Sequence, residues 1–245
     1  MRQKGGYGQF CPVAMASEIL CTRWTMLILR EFCAGSTRFN ELRKGVPRMS
    51  PTLLAKRLKE LESAGVIERV SRNGAGADEY RLTRSGRDLQ EIVMGIGIWG
   101  QRWVETRVAL DNLDPDLLMW DMRRFVDPAL LSKDKCTVQF QYSDLPPAKR
   151  HYWLVVENGQ ADMCSINPGF EVDLYVHTDL RTMTAIWMGV TTVAREIEAD
   201  RLELTGPKDL CRSMQKWLGL SPFANEKKAD ALTARPALPA RQGRQ

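Results

Sequence analysis

Residues 50–65 read SPTLLAKRLKELESAG, and this stretch decides the fold of the first half of the chain. Ser50 followed by Pro51 is a capping serine with proline at the first helical position. Leu54, Leu58 and Leu61 then recur at i, i+4 and i+7, which lays one apolar stripe along a helix. At about 100° per residue, Thr52, Lys56, Lys59 and Ser63 fall on the opposite side. Gly65 stops the helix.

Working upstream, Pro12–Leu20 and Trp24–Ala34 carry helical apolar spacing, and Arg38–Lys44 makes a short amphipathic helix broken by Gly45-Val-Pro47. A short helix, a tight break and a second helix with a small, basic outer face are helix-turn-helix order. In that arrangement the second helix enters the major groove by its N-terminal part. Working downstream, Val66–Ser71 and Glu79–Thr83 are strands around the glycine-rich loop Arg72–Asp78, which makes a wing with Arg72 placed to reach phosphate. A helix follows from Leu89 to Val108, with Leu89, Ile92, Val93, Ile96, Trp99 and Trp103 apolar. Within it, Gly95-x-Gly97-x-x-Gly100 matches the dinucleotide fingerprint but has no strand ahead of it, so close approach of two helices, or a bend in this one, is the better reading.

The series Cys11-Pro-Val13, Trp24-Thr-x-Leu-Ile-Leu-Arg30, Arg38-Phe-Asn-Glu-Leu-Arg43, Leu54-x-x-Arg57-Leu58-x-x-Leu61-Glu62-x-x-Gly65, Tyr80-x-Leu82-Thr83-x-x-Gly86 and Trp99-Gly100 resembles the HxlR-type winged helix-turn-helix transcription regulators. The resemblance covers residues 11–105 in order and departs in the wing, where Gly74, Gly76 and Asp78 stand in place of prolines. It implies a homodimer paired through the terminal helices, including Leu89–Val108, on double-stranded DNA with a pseudo-palindromic operator. The expected DNA contacts are Arg38, Arg43, Ser50, Thr52, Lys56, Arg57, Lys59 and Arg72. For Arg57 a brace to Glu60 or Glu62 is an equal alternative, and the lysines could instead form a solvated face. The resemblance also makes Cys11 a candidate for oxidant or electrophile sensing, helped by a start-of-helix position.

Beyond a hinge at Asp111–Pro115 the reading changes. Pro115–Val126 is an amphipathic helix. Cys136–Tyr142, His151–Glu157, Ala161–Ile166 and Val172–His177 read as antiparallel strands, with a hairpin turn at Asn158-Gly159. A helix capped by Asp179 runs to Met188. Val193–Ala199, a strand Leu202–Thr205 and a closing helix Pro207–Leu218 complete an α+β unit. Trp153-Leu-Val-Val-Glu-Asn-Gly159, Val172-Asp-Leu174, Asp179-Leu180, Met188-Gly189 and Leu202-x-Leu204-x-Gly206-Pro207 resemble the sterol-carrier-like domain. That resemblance implies an apolar tunnel. Trp153, Met163, Leu174, Met183, Trp187 and Met188 are its candidate lining for a small apolar ligand, or else a closed core.

The organisation expected is therefore 1–112 for DNA binding and dimerisation, 113–223 for the ligand, and 224–245 as a disordered basic tail. Charge divides the same way: residues 1–112 hold 18 basic and 12 acidic side chains, net +6, and residues 113–225 hold 12 and 16, net −4. A basic first half favours nucleic acid. Six cysteines without a C-x-x-C pair and two histidines argue against a zinc site and suggest reduced, mostly buried thiols. No nucleophile–His–acid set can be placed, so no catalytic residue, metal or cofactor is expected. The lack of a long apolar run or a clean secretory signal points to the cytoplasm. The favoured reading is a ligand-controlled DNA-binding transcription regulator. The rivals are a redox regulator using Cys11, and a lipid carrier or scaffold without DNA binding.

Overall fold

The computed structural model describes residues 6–71, 78–104, 110, 113–131 and 135–229. It is a mixed helix-and-sheet protein with two separate hydrophobic cores.

The first core is built by helices α1 (Pro12–Leu20), α2 (Thr25–Cys33), α3 (Phe39–Gly45) and α4 (Pro51–Ser63). The hairpin β1 (Ile67–Val70) and β2 (Glu79–Leu82) and the helices α5 (Arg84–Asp88) and α6 (Gln90–Trp103) complete this half. The leucine stripe on α4 behaves as its spacing predicts: Leu54, Leu58 and Leu61 are buried beside Ile28, Leu29 and Leu42. Each such side chain contributes about 1.5–3 kcal/mol relative to exposure. The Ser50 hydroxyl caps α4 by accepting from Leu53 N at 3.3 Å. The hairpin is antiparallel, Ile67 opposite Leu82, and Tyr80 N donates to Thr37 O at 2.7 Å, which ties the wing's base to the α2–α3 turn. A Cβ on Gly86 would stand 2.1 Å from Val66 O, so glycine is required where α5 leaves the hairpin. The helix expected from Trp24 begins one residue later, because Trp24 itself is left-handed (φ 80°).

The second core packs α7 (Pro115–Arg123), α8 (Leu180–Trp187), α9 (Val193–Glu198), α10 (Lys208–Arg212) and α11 (Met214–Trp217) on a sheet. Its strands are β3 (Lys135–Tyr142), β4 (His151–Glu157), β5 (Gln160–Cys164), β6 (Leu174–Thr178) and β7 (Leu202–Thr205), in the order β5-β4-β3-β6-β7. The expected all-antiparallel sheet needs one correction: β3 and β6 pair in parallel, Val138 beside Leu174. Parallel neighbours cannot be joined by a tight turn, and residues 165–173 carry the chain from the β5 edge across to β6. The hairpin turn Asn158-Gly159 is as expected, with both residues at positive φ. The closing helix is split at Ser213, whose hydroxyl bonds back to Asp209 O and Leu210 O.

Among the contacts that join the halves, two involve several groups each. At the first, Trp120 on α7 and Arg124 at its C-terminal cap reach Glu31 of α2, whose side chain is fully buried. At the second, the chain after α11 returns along α6. Phe223 fills the space where a Gly97 Cβ would stand, 2.2 Å from the ring. Arg102 pairs with Glu226 at 2.6 Å, and Ala229 N donates to Arg102 O at 3.0 Å. The expected tail from 224 is corrected accordingly: residues 224–229 follow α6, and 230–245 lie outside the described residues. Of the three glycines on α6, Gly97 serves this close approach, to a turn segment and not to a second helix; nothing comes within 4 Å of a Cβ built on Gly95 or Gly100. Among the described residues no single helix is long and apolar enough to cross a membrane.

Candidate nucleic-acid interface

Burying the leucine stripe of α4 turns its other side outward. Thr52, Lys56, Lys59 and Ser63 are all exposed, on one side of a helix preceded by α3 and a tight turn. Lys56 Nζ sits 4.0 Å from Glu60 Oε1, a solvent-exposed pair that holds the lysine weakly. Lys56 and Lys59 also border a groove of about 710 Å³ shared with Glu18, Ile19 and Thr22.

Other expected contacts are placed differently. Arg57 is a brace: it pairs with Glu60 and its Nε donates to Arg23 O at 3.3 Å. Only 15% of its side chain is exposed, because position 57 flanks the leucine stripe. The Ser50 hydroxyl is engaged as the helix cap. Arg38 begins α3, exposed, with Nη2 3.8 Å from the buried Glu79 carboxylate. Arg43 is exposed but lines a cleft facing α7, a consequence of Leu42 being packed inward. Arg72 lies outside the described residues. The base of its wing is tied by Arg69 to Asp78, Nε to Oδ2 at 2.8 Å. The sequence reading missed Arg48, exposed in the α3–α4 turn, with Nε 4.0 Å from Asp114. A lone basic residue in the turn was the available signal.

Two apolar faces near this unit have no cover among the described residues. On α6, Ile92, Ile96, Trp99 and Trp103 are each about half exposed, with Trp99 at 60%. On α1, Val13 and Met15 are exposed, and no residue of that helix is buried.

Cys11 is the N-cap of α1 and partly exposed. The backbone N–H groups of Ala14 and Val13 pull its thiol below the ordinary value. All six cysteines are free thiols; the expectation that most are buried is corrected, because only Cys136 is.

The six residues expected to line a ligand pocket are placed as follows. Leu174, Met183 and Trp187 are buried in the core between sheet and helices, with Met188 packed against them. Trp153 alternates away from Tyr152 and Leu154, which face that core, and so lies on the other side of the sheet. Met163 packs against the same core and also borders the cleft that Arg43 lines.

A capped reading-type helix behind a tight turn, followed by a hairpin, defines a winged helix-turn-helix protein. Residues 19–108 match the HxlR-like helix-turn-helix family. The uncharacterized HTH-type transcriptional regulator YvaP of Bacillus subtilis is 37% identical over 99 residues, 40% of this chain and 92% of that protein. YdeP of the same organism, likewise named an uncharacterized HTH-type transcriptional regulator, is 35% identical over 94 residues, 38% of this chain and 73% of its own length. The HTH-type transcriptional regulator YodB, also from B. subtilis, is 34% identical over 97 residues, 39% of this chain and 87% of that one. The chain belongs to the HxlR-like helix-turn-helix family of transcription regulators.

Proposed function

We propose that the protein is a sequence-specific, double-stranded-DNA-binding transcription regulator that acts as a homodimer. The observation that carries this reading is the two-sidedness of α4: three leucines buried and Thr52, Lys56 and Lys59 exposed behind a serine cap. Thr52 and Lys56 lie on the N-terminal half of the helix, the part that approaches base edges in this motif. Lys59, Arg38 and Arg48 are better placed for phosphate, which supplies affinity without sequence reading.

The exposed apolar face of α6 supports pairing of two chains through that helix, with α1 beside it. Two reading helices then sit in successive major grooves, about 34 Å apart on a pseudo-palindromic operator. We read residues 113–223 as a sterol-carrier-like unit, supported by a five-stranded sheet with helices over one face. Its role is effector control of the DNA-binding half, across the two contacts described above.

The test is a DNA-shift titration of the full chain on the region upstream of its own gene, at several salt concentrations. The expected result is tight binding with a steep salt dependence, weakened by Thr52→Ala with Lys56→Ala. Weak binding insensitive to both salt and this double substitution would favour the carrier or scaffold reading instead.

The geometry of Cys11 favours a second mode of control. Its helix-cap position biases the thiol toward the reactive thiolate. Exposure to hypochlorite or diamide is expected to change DNA affinity in the wild type and not in Cys11→Ser.

A further inference from the structure

The junction of α3 with the second half leaves a cleft of about 580 Å³, within the range of about 300–1,000 Å³ that small-molecule sites occupy. Arg43 and Lys44 stand on one wall. The half-buried Met163 and the buried Met119, Trp120 and Tyr152 form the opposite side, with the Arg123 guanidinium 3.9 Å from the centre of the Trp120 ring. Aromatic and methionine surface suits a flat apolar body of irregular outline.

Charge around the cleft is unevenly compensated. Arg124 pairs with Glu31, Arg123 lies 3.8 Å from Asp162, and Lys149 lies 3.6 Å from Asp116. Asp116, the acidic residue of the lining, also accepts a hydrogen bond from the Tyr152 hydroxyl at 2.9 Å. Each of these three cations therefore has a carboxylate. Arg43 and Lys44 have none within ion-pair distance among the described residues. Lys44 Nζ instead rests 4.7 Å from the centre of the Trp120 ring. Two uncompensated cations over an aromatic and thioether wall call for a ligand with a flat apolar body and one anionic end.

We propose that this cleft binds a small aromatic carboxylate, its carboxylate held by Arg43 and Lys44 and its ring against Met163, with the Trp120 ring behind it covered by Lys44 and Arg123. The site lies between the two halves, apart from the closed core of the second. A ligand there bridges α3, the first helix of the helix-turn-helix, to α7. It therefore favours one relative placement of the halves and is expected to change DNA affinity. This last step rests on the DNA-binding reading above; the binding step does not.

The probes are 2-naphthoate, indole-3-acetate and cinnamate, titrated calorimetrically into the full chain, with 2-naphthalenemethanol as the uncharged comparison. At least one carboxylate is expected to saturate a single site below millimolar concentration. Arg43→Gln with Lys44→Gln, both exposed positions, is expected to weaken it at least tenfold while changing the alcohol little. Met163→Trp, which fills the cleft, is expected to abolish binding of both. Failure of all three carboxylates to saturate, or equal binding to wild type and both variants, overturns the site. If a carboxylate binds as described but leaves the DNA-shift curve unmoved, the regulatory step is overturned. A chain that binds the carboxylate but no DNA at any ligand concentration overturns the DNA-binding reading and leaves the site standing.

Discussion

Lys56 on α4 and Arg124 beside α7 are both cations next to a glutamate, and they do opposite work. Lys56 is 68% exposed and 4.0 Å from Glu60. Such a pair is worth about 0–1 kcal/mol, so exchanging Glu60 for a phosphate or a base edge costs little. Arg124 is 10% exposed and Glu31 not at all. Around that carboxylate stand Arg124, Arg30 at 2.9 Å, Ser36 Oγ at 3.2 Å and the Trp120 indole N–H at 3.2 Å. Gly45 completes the enclosure, since a Cβ there would fall 1.8 Å from the carboxylate carbon. Exposure separates a contact surface from a joint, even where the residue types are the same.

The joint gives the largest expected effect. Arg124→Met leaves Glu31 buried without its main partner, a change that costs about 3–5 kcal/mol. Denaturant unfolding of the full chain should show a loss of that size. Glu31→Leu combined with Arg124→Met should recover part of it, because the buried Glu31 charge is gone, while Asp121 still loses its pair with Arg124 at 3.0 Å. A loss below about 1 kcal/mol for the single substitution would place this junction with the exposed pairs.

On the contact surface the effect moves from stability to binding. Thr52→Ala with Lys56→Ala should leave the unfolding midpoint nearly unchanged, since neither side chain is buried. Removing each side chain that reads a base edge should cost about 1–3 kcal/mol of operator affinity. A large fall in stability with unaltered DNA affinity would reverse the comparison. A milder break acts on the α6 face. Ile96→Ser with Trp99→Ser removes two half-exposed apolar groups and should convert a dimer into a monomer in sedimentation, with weaker operator binding and little change in monomer stability.

What the sequence disclosed follows the same division. The α4 stripe is local: three leucines within eight positions set the helix, its buried side and, by subtraction, its outer face. The brace at Arg57 was also legible as an alternative, because its partner Glu60 stands one turn away. The Glu31 joint was not legible, because its partners Trp120 and Arg124 lie 89 and 93 positions along the chain. A lone glutamate between Arg30 and Phe32 reads as solvated. The parallel pairing of β3 with β6 was hidden for the same reason, since strand alternation reports a face and not a neighbour. The candidate tunnel residues carry a different ambiguity: apolar spacing says that Leu174 and Met183 are buried, as they are, and burial in a closed core looks the same in sequence as burial around a ligand.

The smallest expected effect is one of pH, and its sign follows from the joint. Burial alone pushes the Glu31 carboxyl up, but the hydrogen bond and charge of Arg124, then the charge of Arg30 and the Trp120 N–H, bring it below the usual carboxylate range. A carboxyl depressed on folding contributes stability above its unfolded value, near 4.5, and that contribution is lost as pH falls through the folded value. Asp121, on the same helix as Trp120, is pushed up by burial and so acts in the opposite direction over the same acid range. Comparing the two chains with and without Glu31→Gln, both in an Asp121→Asn background, separates the two, because the Glu31 charge itself helps to raise Asp121. Between pH 6 and pH 4 (about the span in which unfolded carboxylates begin to take up protons) the chain that keeps Glu31 should lose more thermal stability than the one with Glu31→Gln. Equal losses would mean that Glu31 does not titrate differently in the folded chain, and the joint would then rest on packing of Trp120 rather than on charge.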